Sequence, residues 1–262
     1  MNVANDVFDA TQGADEANVT PTKYSGGSRV IQYGLVSLRR MAVLATLFYL
    51  VAALVGLVLL ATRGSPALLV IGALGFVISI GYTAPPLKLV YRGLGEIAVA
   101  VGFGPLMLLG AYVVQTGGAL SWEPFAASIP VALLVALILY VNEIPDRRGD
   151  ARAGKVTLPV LWSQPAVIKA YDLAVAVAYA AIVAGVLLGS LPLPTLVVLV
   201  TIPLALRVHR GLRANYDNPY GLMSVMATNI QLHLYVGVLL ILAYAATLIL
   251  VALLPSTPLY LR

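Results

Sequence analysis

Long apolar runs separated by short polar segments dominate this chain. Seven largely apolar stretches, about 38–61, 66–83, 95–116, 124–142, 169–188, 193–208 and 225–254, are each near the length that crosses a bilayer as a helix. The fifth and sixth come from one uncharged run, 173–206, which is too long for a single helix. Gly189-Ser190-Leu191-Pro192-Leu193-Pro194 interrupts it, since Gly and Pro there favour a tight turn. The last stretch exceeds what a bilayer needs, so tilt or overhang is expected. The pattern predicts an all-α polytopic membrane bundle of seven spans, with residues 1–262 forming one membrane-embedded domain.

Composition agrees. Sixty per cent of residues are hydrophobic and 10% charged, against about 25% charged in soluble domains. There is no Cys, which excludes disulfides and thiolate metal sites. A net charge of +5 would suggest nucleic acid in a soluble protein, but in a membrane protein basic residues first report topology, so no nucleic-acid partner is inferred. Segments 1–40, 84–94, 143–172 and 207–224 hold 14 of the 16 Lys and Arg, leaving only Arg63 and Arg262 on the other side. That asymmetry predicts a multi-pass cell-membrane protein with the first set of segments in the cytoplasm. Met1 is followed at once by polar residues and carboxylates, not by the apolar core of a signal peptide.

Two acidic clusters stand out on that same side. In the first, Asn2, Asn5, Asp6 and Asp9 are followed by Asp15; in the second, Asn142 is followed by Asp146 and Asp150. Asn2 to Asp6 and Asn142 to Asp146 are both four-residue steps, and each cluster adds an Asp one turn on, so each set shares a helix face. A carboxylate at mid-bilayer costs roughly 2.5–3.5 kcal/mol on insertion scales, so such clusters are expected to be functional. Oxygen ligands of this kind suit Mg²⁺. Between the clusters, Tyr82-Thr83-Ala84-Pro85-Pro86 ends a helix, and Lys88 and Arg92 follow as a candidate anion site, a point charge and a bidentate fork. Asn229, Gln231 and His233 form a polar patch inside the last span that reads as interhelical glue or as a substrate contact. His209 reads as an interfacial residue.

These motifs resemble the UbiA-type intramembrane prenyltransferases. Asn5-Asp6-x-x-Asp9 is similar to the family's first Asp-rich motif. Asp146-x-x-x-Asp150, followed by Ala153-Gly154-Lys155 and Thr157-Leu158, is similar to the second, and Tyr82 to Lys88 resembles the family's intervening Tyr/Lys loop. Within the family, 82–96 and 103–117 look most like 1,4-dihydroxy-2-naphthoate polyprenyltransferases, which make a menaquinone precursor. Gly13 stands where many relatives carry a further Asp. The family has nine spans around a central cavity, so the resemblance also implies that the first helix and most of the second are absent here.

The resemblance implies Mg²⁺-dependent transfer of a prenyl chain from an isoprenyl diphosphate to an aromatic acceptor. Asp6, Asp9, Asp146 and Asp150 would hold the metal. Asn5, Arg29, Lys88, Arg92, Asn142 and Lys155 would bind the diphosphate, and Tyr82 would face the allylic cation. Other acceptors (homogentisate, hydroxybenzoate, a chlorophyll precursor), a non-catalytic relative and a transporter remain as alternatives. A transporter should carry its ionisable residues near the midplane, whereas here almost all lie at one interface.

Overall fold

A computed structural model describes residues 1–254 and 259–260; Arg262 lies outside the described residues. The elements are helical throughout: α1 (Asn2–Gln12), α2 (Leu38–Arg63), α3 (Pro66–Gly81), α4 (Gly95–Thr116), α5 (Trp122–Arg152), α6 (Gln164–Leu187), α7 (Leu193–Asn215) and α8 (Leu222–Leu253). Each of the seven apolar stretches is a helix. Six are long and apolar enough to cross a membrane; α3 is apolar but shorter. It is bounded tightly at both ends. Ser65 accepts a capping bond from the Leu68 N–H, with Pro66 in the first turn, where a missing N–H does no harm. At the other end Leu87 folds back on Gly81, leaving no space for a Cβ there.

Proline shapes two other spans. Pro105 lies inside α4 and cannot donate its backbone hydrogen bond, and Gly102–Leu106 around it is a π-helical segment. Gly104 in that segment lets α4 press on α5: a Cβ there would stand 2.4 Å from that of Ala132. Between α6 and α7 the chain breaks as expected. Gly189 takes φ 69°, Leu191 packs on Gly185, and α7 begins as a 3₁₀ segment, Leu193–Thr201, before continuing as α-helix.

The buried core lies where α5, α6, α7 and α8 meet, around Leu137, Ile144, Tyr171, Val198, Leu212 and Met226. Asn229 fastens it. Its amide donates to the Leu137 carbonyl at 2.9 Å and its oxygen accepts from Tyr171 Oη at 3.2 Å. Such interhelical bonds in a bilayer contribute on the order of 0.6 kcal/mol each, up to ~1.7. The polar patch on α8 is thus glue, at least through Asn229. By contrast α2 buries only Met41 and Ala45 and leaves most of its apolar surface outward.

Candidate active site

The acidic clusters meet at one cavity of ≈ 350 Å³ at one end of the bundle. One wall is α1 and the loop after it. The other is the C-terminal half of α5, from Val135 to Asp150, on a helix that carries Pro130 and Pro145. Asn142, Asp146 and Asp150 all line the cavity, as their spacing predicts. On α1 the lining stripe is Asn2, Asn5 and Asp9, one step round from the Asn2–Asp6–Asp9 face expected. Asp6 is not among the lining residues and instead accepts from Ser28 Oγ at 2.6 Å.

Lys155 joins the two walls. Its Nζ is 3.8 Å from Asp9 Oδ2 and 3.8 Å from Asp150 Oδ1. Burial works against its charge, but Asp9 and Asp150 outweigh that and hold the ammonium above the ordinary lysine range. Asp9 also accepts from Asn5 Nδ2 at 2.9 Å and from Tyr91 Oη at 3.0 Å. Burial, and next the Asp9 carboxylate, raise the Tyr91 phenol well above its usual value, so it stays a donor. Asp146 accepts from Asn18 Nδ2 and from the Gly26 backbone N–H, both at 2.8 Å.

The loop after α1 is closed by Arg29, which takes φ 56° and donates to the carbonyls of Asp15, Asn18 and Gly26. Asp15 is buried beside it and accepts from Gln32 at 2.8 Å. Burial first, then Asp9 and Asp6, push the Asp15 carboxyl up to about 6. This loop reaches the α5 wall at Gly149, where a Cβ would stand 3.0 Å from Asn18 Cα.

Three of the expected diphosphate ligands lie outside the cavity lining. Arg29 is spent on loop carbonyls. Lys88, with φ 44°, sits over the Tyr91 ring at 5.2 Å, and Arg92 donates to the Pro86 carbonyl at 2.9 Å. None of the three lines the cavity. The physical reason is local: Arg29 and Arg92 donate to carbonyls of their own loops, and Lys88 lies on a neighbouring ring. Asn5, Asn142 and Lys155 do line it, and so does Tyr82, buried next to Val99, Phe103, Val135 and Leu139 on the apolar floor.

Sequence reasoning missed Tyr91, Asn18 and Ser28, each a partner of a cluster Asp, and it assigned nothing to Glu143. Glu143 lines the cavity, and its buried carboxyl lies against the buried carboxyl of Glu96, close enough for the pair to share a hydrogen bond. The signal for Glu143 was present: a carboxylate beside Asn142 at the end of an apolar run. Tyr91 and Asn18 carried none, because only the fold brings residues 82 and 128 positions away to their partners.

Among the described residues, no three acidic or His side chains converge closely enough to hold a metal ion by themselves. The donor chemistry nevertheless fits Mg²⁺. Asp150 Oδ2, Asn142 Oδ1 and Asn5 Oδ1 are buried oxygens without partners, all on residues lining the cavity. Mg²⁺ keeps several waters and is commonly held by one or two carboxylates plus substrate phosphates, so a closed protein cage is not required.

Comparison with known proteins gives this geometry a context. The model of the UbiA prenyltransferase family matches residues 1–224. The chain is 28% identical over 246 residues to 2-carboxy-1,4-naphthoquinone phytyltransferase of Synechocystis sp., covering 93% of this chain and 76% of that one. It is 27% identical over 239 residues to 1,4-dihydroxy-2-naphthoate octaprenyltransferase of Bacillus subtilis, covering 91% and 74%. To the protein of that name in Mycobacterium tuberculosis it is 35% identical over 217 residues, covering 82% and 70%. No solved structure matches. With most of its length matched by the family model, and with both of that resemblance's acidic motifs opening on one cavity, the chain belongs to the UbiA prenyltransferase family, whose members transfer prenyl groups.

Proposed function

We propose that the cavity binds an isoprenyl diphosphate and transfers its prenyl chain to 1,4-dihydroxy-2-naphthoate, a step of menaquinone formation, at the cytoplasmic face of the cell membrane. The observation that carries this reading is Lys155 held between Asp9 and Asp150, one residue from each cluster. A diphosphate entering there finds a buried ammonium and carboxylates on both walls. Mg²⁺, when bound, would neutralise charge developing on the leaving diphosphate, held by Asp9, Asp146 and Asp150, with Asp6 in reserve behind Ser28.

The protein groups do the rest. Lys155 offers its charge to the diphosphate oxygens as the C–O bond breaks. Asn5 and Asn142 offer amides on either wall. The floor of Tyr82, Val99, Phe103, Val135 and Leu139 keeps water from the allylic cation, and the Tyr82 ring supplies a π face for it. The acceptor ring carbon bonds to the prenyl carbon, and in the naphthoate case carbon dioxide leaves from the same ring carbon. The tail has an apolar route. Phe103 and Asn2 also line a neighbouring cavity that reaches Tyr49, and Tyr49 lines an apolar groove between α2 and α3.

The naphthoate acceptor is favoured because the relatives reported above are named for naphthoate or naphthoquinone substrates. The test is transfer of labelled prenyl diphosphate in liposomes with Mg²⁺, offering 1,4-dihydroxy-2-naphthoate, homogentisate or 4-hydroxybenzoate. Product from the naphthoate alone is expected. Product from another acceptor alone would overturn the acceptor, and unchanged transfer by both Asp9→Ala and Asp146→Ala would overturn the site.

A further inference from the structure

A second polar notch lies away from this cavity, between α6 and α7. It has a volume of ≈ 420 Å³ and is lined by Gln164, Lys169, Asp172, His209 and Arg213. It sits at the same end of the bundle as the acidic clusters. Arg147 of α5, one residue after Asp146, donates to the Tyr216 carbonyl and pairs with Asp217, just beyond the end of α7.

The charges in the notch are unbalanced. Asp172 Oδ1 is engaged by His209 Nδ1 at 2.8 Å. Lys169 and Arg213 make no ion pair or side-chain hydrogen bond among the described residues. Arg147 and Arg148 are matched by Asp217 and Lys155 by Asp9 and Asp150, whereas Lys169 and Arg213 share one notch with a single carboxylate that His209 already engages. The first turn of α6 enters the notch at Gln164 and Pro165, with no side-chain cap on its N–H groups, and so adds the positive end of a 24-residue helix.

Beside these charges the surface is apolar. On α6, Lys169, Leu173 and Val177 follow at four-residue steps; on α7, Ile202, Leu206, His209 and Arg213 follow at steps of four, three and four. Each is one helical stripe. Leu173, Val177, Ile202 and Leu206 are exposed, on helices long and apolar enough to span a membrane. Both stripes thus run from side chains suited to acyl chains to cations suited to a phosphate. Basic pockets between membrane helices are a recognised way to hold anionic lipid head groups.

We propose that this notch binds the phosphate head group of an anionic phospholipid, contacted by Lys169 and Arg213, with the acyl chains along Leu173, Val177, Ile202 and Leu206. The site is separate from the prenyl-transfer cavity and does not depend on the reading given for it. The test uses purified protein in detergent micelles carrying trace phosphatidylglycerol or phosphatidylcholine, with bound lipid counted by native mass spectrometry. The wild-type chain is expected to retain phosphatidylglycerol over phosphatidylcholine. Lys169→Gln with Arg213→Gln should weaken that preference about 25-fold, taking about five-fold per cation near a membrane surface. The charge-preserving pair Lys169→Arg and Arg213→Lys should keep it, which separates lost charge from lost folding. Excess inorganic phosphate should leave the lipid bound. Equal retention by wild type and the Gln pair would overturn the proposal, as would displacement of the lipid by inorganic phosphate.

Discussion

Asp9 and Asp150 are each 3.8 Å from the same ammonium, yet the helices that carry them are built differently. Asp150 is near the end of a 31-residue helix whose inner face, from Leu134 to Ile144, is part of the main core. Asp9 is on an 11-residue helix that buries only Ala4 and Asp9 itself. Beyond its packing on α2, side-chain bonds fix α1: Tyr91 to Asp9, Ser28 to Asp6, Gln12 to the Thr83 carbonyl, and Lys155. One wall is built into the main core; the other rests on α2, itself little buried, and on polar tethers. A tethered wall opens at lower free energy than a packed one, so α1 is the side expected to move when substrate enters.

Substitutions can test that contrast. The largest effect should come from the packed wall: Asp150→Ala is expected to lower initial rates of prenyl transfer roughly 10²–10³-fold with little change in melting, as for loss of one electrostatic contact to a developing charge. An equal rate would remove Asp150 from the site. Lys155→Met strikes both walls at once. Leaving buried Asp9 and Asp150 uncompensated should destabilise by about 3–5 kcal/mol, read as a lowered Tm, and added Mg²⁺ should recover part of it. If Mg²⁺ has no effect on the Tm of this variant, the carboxylates do not bind it. Tyr91→Phe removes one tether of α1. The expected cost is ~1 kcal/mol, about five-fold in affinity for a prenyl diphosphate, with faster hydrogen exchange in α1 and none in α5. Exchange that rises equally in both helices would erase the distinction between the walls. Ser28→Ala should do least, about two-fold, because its bond to Asp6 is exposed.

The same contrast explains what could be read from the sequence. The packed elements were legible. Apolar runs located every span, the Gly-Pro segment at 189–194 marked the break between α6 and α7, and four-residue spacing placed Asn142, Asp146 and Asp150 on one face of α5. Prolines inside helices were not legible as such, and only Pro105 shows why: its lost bond is absorbed by a π-helical turn. The tethered elements were harder. Spacing put Asp6 with Asn2, but the fold turns Asp6 to Ser28 and brings Asn5 to the cavity. Basic residues near an acidic motif invited assignment to the substrate, yet Arg29 and Arg92 bond to carbonyls of their own loops, Lys88 lies over Tyr91, and none of the three lines the cavity. Lys155 escaped that fate because the turn after α5 aims it between the two walls.

Gly149 has a further consequence. Its missing side chain is where the α1 loop touches α5, with Asn18 Cα 3.0 Å from the place a Cβ would take. Asn18 is also the donor to Asp146, so the contact and the hydrogen bond act at the same spot. Gly149 works as a feeler gauge between the walls. The approach of the α1 loop to α5 is limited there by a residue with no functional group, and its tolerance is the thickness of one methyl.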